Sequence, residues 1–301
     1  MKIFPFAAID IGSNATRLQI SNVEEYPDGT VSKKVVWIRV PLRLGEDAFG
    51  GGDITPEKRG HLAEAMQGFA HIMRAFNVID YRAYATSAMR DATNAQDIIE
   101  YVREKSGLQI EVIDGQAEAG IIFESGLPIV VDEDLTYLFV DVGGGSTELT
   151  IVSGGKRIAS KSFSLGTLRI LSGKVEKNAL EKMKKWIKSS SGGALPSVIV
   201  GSGGNINKVL RLLNRKEQQS IEYSELKELY RYIKSYSVEE RIHRLKLNPH
   251  RADVIVPAMK IFLSIMKSCN IDEILVPRMG LSEGMIRMLY EEHLADPAPK
   301  S

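Results

Sequence analysis

Cysteine is almost absent from this 301-residue chain, Cys269 being the single one. One cysteine excludes an intrachain disulfide framework and fits a reducing cytoplasm, which is the expected setting. Lying in a helix-like segment, Cys269 reads as a small buried hydrophobe rather than a nucleophile. Long apolar runs are missing too. None approaches the ~20 residues that a helical span needs, so no membrane partner is expected. The opening MKIFPFAAIDIGS has only a short apolar run and no small-residue cleavage site, so it does not read as a secretory signal. Excess charge of either sign is also lacking. Lys and Arg number 39 against 38 Asp and Glu, a formal net charge of +1. That balance gives no global field for steering nucleic acid, so no nucleic-acid partner is expected and any anion site must be local. Five scattered histidines form no ligand spacing, which argues against zinc.

What remains is an ordinary globular composition, 44% hydrophobic and 26% charged. The length suits two modest domains, and the chain holds a repeat. Ile9 to Ile20 reads IDIGSNATRLQI and Val140 to Ile151 reads VDVGGGSTELTI. They align without a gap: Asp10 with Asp141, Gly12 with Gly143, Thr16 with Thr147, Leu18 with Leu149. Each copy is an apolar alternation, a glycine-containing bend and a second alternation, the pattern of a β-hairpin. Two hairpins in register, each opening its half of the chain, point to duplicated domains facing one another. Strand-like and helix-like segments alternate through both halves. Residues 32–40, YRAYAT, LQIEVID, LTYLFVDV, ELTIVSG, KRIASKSFS and SVIVGSGG read as strands. Thr55-Pro56-Glu57 reads as a helix start, followed by a stripe of Leu62, Met66, Phe69, Met73 and Phe76. Residues beyond 224 read as mostly helical. The expected class is α/β sheets with helical cover.

Glycine lets a backbone approach a ligand closely and aim several N–H groups at one anion, and hydroxyls add donors. Gly143, Gly144, Gly145, Ser146 and Thr147 form such a set, and Gly12, Ser13 and Asn14 are its counterpart. The alternative is a pair of tight turns without a ligand; the duplication, with an acid before each bend, favours phosphate. Asp10 and Asp141 would repel phosphate unless a cation intervened. Mg²⁺ suits them, since it takes one or two carboxylates and bridges to phosphate oxygens. Glu148 alternates so that it would share a cleft. By spacing alone, Glu118 is a favourable acid in a first helical turn. By the same measure Arg90 is a surface cation pairing with Asp91 or Asp97, although it sits where a guanidinium could fork onto phosphate. Two basic clusters, Lys182, Lys184, Lys185 and Lys188 with Arg211, Arg215 and Lys216, read as solvated helix faces rather than a polyanion track.

Taken together, AAIDIGSNATRLQI, YATSAMRDATN, VIDGQAEAGIIFESG, FVDVGGGSTELTIV, VIVGSGGNINKV, RADVIVPAMKIF and GLSEGMI resemble the exopolyphosphatase / guanosine pentaphosphate phosphatase family. The resemblance runs over nearly the whole chain in order and spacing, and matches the short, two-domain form. It implies two duplicated domains of the actin-like, ribonuclease H-like kind with a cleft between them. Their expected limits are 1–128 and 129–301, with the last helix, about 283–295, left free to pack back on the first. It implies that Glu118 is the base for an attacking water and that Glu148 helps to polarise that water. It also implies that the second hairpin, Asp141 to Glu148, holds phosphate and metal, and that Ser13, Asn14 and Arg90 hold the phosphate chain. With Asp10, taken from its place before the first bend, Asp141 is the expected ligand of Mg²⁺ or another divalent cation. Gly203, Gly204 and Asn205 would form a nucleotide or polyphosphate loop. The implied substrates are inorganic polyphosphate and guanosine pentaphosphate, with a homodimer left open. Three positions depart from the family pattern: Ala117 where many relatives carry an acid, Asn205 where many have threonine, and Ser282 where many have arginine. These departures keep two other readings open, a nucleotide-binding regulator that has lost catalysis and a small-molecule kinase of the same fold.

Overall fold

A computed structural model describes residues 2–126, 132–192, 195–216, 219–277 and 279–295. The chain divides into two compact units, residues 1–114 with 281–301, and residues 115–280. The domain limit expected at 128/129 lies outside the described residues.

The first unit begins with β1 (Lys2–Ile11), β2 (Thr16–Tyr26) and β3 (Gly29–Val40), a meander of antiparallel neighbours. Helices α1 (Leu44–Gly50) and α2 (Pro56–Ala75) follow, then β4 (Asp80–Ala85), α3 (Ser87–Asp91), α4 (Ala95–Ser106) and the short β5 (Glu111–Val112). The sheet order is β3-β2-β1-β4-β5, with β4 parallel to β1. Thr55 caps α2 as its spacing predicts, accepting a hydrogen bond from the Lys58 amide, and Pro56 opens the helix. Leu62, Met66, Phe69 and Met73 are buried along one face. Phe76, the expected end of that stripe, is exposed, because the helix has already stopped at Ala75. Gly107 ends α4 in the left-handed conformation that relieves the last turn, at φ 74°.

The second unit opens with α5 (Gly115–Gly126), followed by β6 (Tyr137–Val142), β7 (Thr147–Ser153) and β8 (Lys156–Phe163). Next come α6 (Thr167–Leu171), α7 (Ala179–Ser190), β9 (Val198–Ser202), α8 (Gly204–Leu212) and β10 (Ser220–Glu222). Helices α9 (Tyr223–Lys234), α10 (Val238–His243), α11 (Pro249–Ala252) and α12 (Ile255–Cys269) lead to β11 (Glu273–Leu275). Helix α13 (Leu281–Ala295) belongs to the first unit, where Phe4 and Phe6 meet Tyr290 and His293. The second sheet runs β10-β11-β9-β6-β7-β8, with β9 parallel to β6. The duplication is therefore topological: in each unit an antiparallel meander is joined on its first strand by a parallel fourth. Strand β11 interrupts the run read as helical beyond 224. Its three residues are too few to show a period-2 pattern. Helix α12 is apolar nearly all round and buried with the sheet, a core helix by composition. Cys269 sits at its end as a free, buried side chain, and burial pushes its thiol pKa up, which keeps it inert. No helix among the described residues is long and apolar enough to cross a membrane.

Candidate active site

Each repeated hairpin turns on the same hydrogen bond. The Gly12 amide donates to the Ala15 carbonyl at 3.1 Å, and the Gly143 amide to the Ser146 carbonyl at 3.0 Å. In the second bend the carbonyls all face one way. Gly143 accepts from the Thr167 amide at 3.0 Å, Gly144 from the Leu168 amide at 2.7 Å, and Gly145 from Arg169 Nε at 2.8 Å. No cis bond occurs among the described residues, and in a trans peptide the N–H points opposite to the preceding carbonyl. The N–H groups of Gly144, Gly145 and Ser146 therefore turn together away from α6. A run of amides aimed one way is an anion cradle. The first bend is built alike: Ser13 accepts from the Gly45 amide at 2.8 Å and Asn14 from the Arg43 amide at 3.1 Å. This turns the Asn14 and Ala15 amides away from α1.

The short helix behind each bend has at its start a glycine that cannot be replaced freely, Gly45 as the second residue of α1 and Gly166 as the residue capping α6. A Cβ on Gly166 would lie 2.3 Å from the Gly145 carbonyl carbon, and one on Gly45 would lie 2.9 Å from Ser13 Cβ. Leu44-Gly45 and Leu165-Gly166 thus extend the repeat, which sequence comparison missed. Strands β2 and β3, of 11 and 12 residues, outrun β7 and β8, of 7 and 8, and shift the register.

In the second unit, four side chains form a row across adjacent strands: Ser202 (β9), Asp141 (β6), Glu148 (β7) and Ser162 (β8), each the register partner of the next. The serines hold the acids from outside. Ser202 Oγ donates to Asp141 Oδ2 at 2.7 Å, and Ser162 Oγ donates to Glu148 Oε1 at 2.8 Å. Gly203, at φ 98°, closes on the same carboxylate, since a Cβ there would lie 2.9 Å from Asp141 Oδ1. It leads into Gly204 and the buried Asn205 at the start of α8, where Arg251 donates to the Gly204 carbonyl. Glu118 stands in the first turn of α5, only 9% exposed. Gly115 opens that helix against Ser162, with a Cβ position 2.3 Å from Ser162 Cβ. Thr147 Oγ1 donates to the Leu165 carbonyl, so that hydroxyl braces the bend from within. Ser146 is buried beside it.

The first unit holds the other sequence-predicted residues. Asp10 forms an ion pair with Arg17, its register partner on β2. Ser13 is buried, and Arg90 Nη1 donates to the Ile113 carbonyl at 2.8 Å. In the basic clusters, Lys182, Lys184 and Arg215 pair with Glu176, Glu181 and Glu225. Sequence reasoning passed over Arg17, Ser162, Ser202, Gly166, Arg169 and Arg251. Only the repeat could have flagged Arg17, which occupies the place of Glu148. The others act through backbone carbonyls or through strands distant in sequence.

The oxygen-rich row suits a hard dication that takes one or two carboxylates and completes its shell with water or phosphate. Among the described residues, no group of three or more His, Cys, Asp or Glu side chains is arranged to hold a metal ion alone.

The model of the Ppx/GppA phosphatase family matches residues 28–293. A guanosine-5'-triphosphate,3'-diphosphate pyrophosphatase of Aliivibrio fischeri is 26% identical, covering 98% of this chain and 62% of that protein. The chain therefore spans less than two thirds of that relative's length. Exopolyphosphatase 1 of Mycobacterium tuberculosis is 24% identical over 92% of this chain and 86% of its own. The crystal structure of the Aquifex aeolicus Ppx/GppA family member superposes with a TM-score of 0.76 at 25% identity, covering 97% of this chain and 100% of that one. The fold is the actin-like, two-domain α/β fold that the resemblance implies.

Proposed function

Because this chain belongs to the Ppx/GppA phosphatase family, we propose that it hydrolyses terminal phosphoanhydride bonds of inorganic polyphosphate, guanosine pentaphosphate, or both. The observation that carries the reading is one neighbourhood of the second unit. There the 144–146 amides, the Asp141–Glu148 pair and the Gly203 turn are fixed by a single sheet. Anhydride hydrolysis asks a protein for an aligned water and for charge stabilisation on phosphoryl oxygens, with little covalent chemistry. The amides of Gly144, Gly145 and Ser146 bind those oxygens. Within the first unit, Ser13, the Asn14 and Ala15 amides and the Arg90 guanidinium would hold phosphate in their own right.

Asp141 and Glu148 would hold Mg²⁺ or another divalent cation, which supplies charge neutralisation on the phosphate when bound. Asp10 was the other expected ligand, but its charge is met by Arg17, so we assign the cation to the second unit's pair. Glu118, a shielded carboxylate, takes the proton of the attacking water as general base. Glu148 accepts a hydrogen bond from the same water and orients it. Gly203, Gly204 and Asn205 line the far end of the substrate, and Arg251 fixes their backbone. The single buried cysteine fits action in the cytoplasm.

The test is phosphate release from long polyphosphate, tripolyphosphate and guanosine pentaphosphate, side by side, with and without magnesium. Magnesium-dependent release from at least one is expected. Inertness on all three rejects the hydrolase. Inertness together with calorimetric binding of guanosine tetraphosphate would favour the regulator instead.

A further inference from the structure

In the row Ser202–Asp141–Glu148–Ser162, only the two inner members carry chemistry in the proposal above. We propose that Ser162 is a positioning residue for the reaction. Its hydroxyl fixes the Glu148 carboxylate, and its contact with Gly115 sets the start of the helix that carries Glu118. The proposal rests on the hydrolase reading.

Ser162 is the register partner of Glu148 on β8, and its Oγ donates to Glu148 Oε1 at 2.8 Å. On the other side of Glu148 stands Asp141, its partner on β6. Like charges at directly opposed positions of an antiparallel pair push apart. A glutamate has three side-chain torsions through which to yield, and burial offers it no bulk water to yield into: Glu148 is 4% exposed. The serine hydroxyl supplies the opposing hold, a charge-assisted bond on the side away from Asp141. Ser202 does the same for Asp141 at 2.7 Å, so the pair is drawn outward at both ends.

Ser162 also has a second contact. The backbone of α5 comes so near that a Cβ on Gly115 would lie 2.3 Å from Ser162 Cβ and 2.6 Å from its Oγ. Glu118 lies three residues further along α5, within its first turn. One small side chain therefore touches the base of the helix bearing one acid and the carboxylate of the other. The simpler role for Ser162 is to satisfy a buried acceptor, which would affect stability and leave turnover alone.

The two roles separate by kinetics. Ser162→Ala, assayed with magnesium on whichever of the three substrates the wild type turns over, well below its melting temperature, should lower kcat about 10-fold and leave KM within about twofold, the scale of lost outer-shell partners. Ser162→Ala keeps the Cβ that meets Gly115 and removes only the hydroxyl. In a Glu148→Gln background the same change should cost less than about twofold, because the hydroxyl then holds an amide in place of the carboxylate that does the chemistry. If Ser162→Ala does not fold, Ser162→Cys, close in size and a weak donor, takes its place with the same expected pattern. A kcat within twofold of wild type overturns the positioning role, and so does an equal loss in both backgrounds. Wild-type inertness on every substrate overturns the hydrolase reading with it. An active wild type with an indifferent Ser162 overturns this inference alone.

Discussion

Asp141 and Glu148 are direct partners across β6 and β7, while the two equivalent places in the first hairpin hold Asp10 and Arg17. The same scaffold thus presents an ion pair in one unit and two acids in the other. Opposed like charges on an antiparallel pair cost roughly 0.2–1 kcal/mol. Replacing Glu148 by Gln removes the repulsion and keeps an acceptor for Ser162. We therefore expect Glu148→Gln to be more stable by about 0.5 kcal/mol without magnesium, and much slower. Adding magnesium should raise the melting temperature of wild type more than that of the variant, since binding to the native state stabilises it. Scanning calorimetry with EDTA and with magnesium checks both. A variant that melts lower in EDTA, or gains as much from magnesium, would count against a shared cation.

Glu118 is nearly buried in the first turn of α5, where the helix dipole favours its negative charge whatever its role. Glu118→Gln keeps the shape and removes the base. Turnover should fall by about 10²–10⁴, with circular dichroism and melting close to wild type. Phosphate release at near-normal rates would assign the base elsewhere.

Arg169 is buried and donates through Nε to the Gly145 carbonyl, locking the peptide that aims the Ser146 amide. Arg169→Met keeps much of the packing and leaves that carbonyl without its charged donor. The expected loss is about 2 kcal/mol in urea unfolding, the scale of a hydrogen bond to a charged group, together with a KM raised more than kcat is lowered. A stability loss with unchanged KM would confine Arg169 to packing.

Much of this was legible in the sequence because it is local. Hairpin alternation, the Thr55-Pro56 helix start, the Gly107 stop and the 131-residue spacing of the repeat lie in short stretches read by periodicity and turn chemistry. The α/β class followed from them. What stayed hidden depends on pairing between strands distant in sequence. Ser202 reaches Asp141 across 61 residues and Arg169 reaches Gly145 across 24, and no pattern along the chain marks either. Arg17 was visible as a residue but not as a partner, because register is a property of the folded sheet. The roles of Glu118 and Arg90 came only from family likeness, since both have ordinary explanations by spacing.

Three glycines should respond to alanine in a fixed order that measures how each bend is backed. Gly60, inside α2, has nothing within 4 Å of its Cβ position. Gly60→Ala should stabilise the protein by about 0.5–1 kcal/mol, because alanine is the better helix former and meets no obstacle. A Cβ on Gly45 would meet Phe49 Cε2 at 2.7 Å and Ser13 Cβ at 2.9 Å, both side-chain atoms. These can move at the usual overpacking cost, so Gly45→Ala should lose about 1–3 kcal/mol. At Gly166 the three nearest atoms are backbone, Gly145 C at 2.3 Å, Gly144 O at 2.4 Å and Gly144 C at 2.5 Å. The amide cradle itself would have to shift. Gly166→Ala should therefore be the least stable of the three and should lose phosphate release even where it remains folded. Chemical denaturation of all three, with phosphate release measured beside it, tests the order. A Gly166→Ala protein as active as Gly60→Ala would mean that α6 does not set the bend against which it lies.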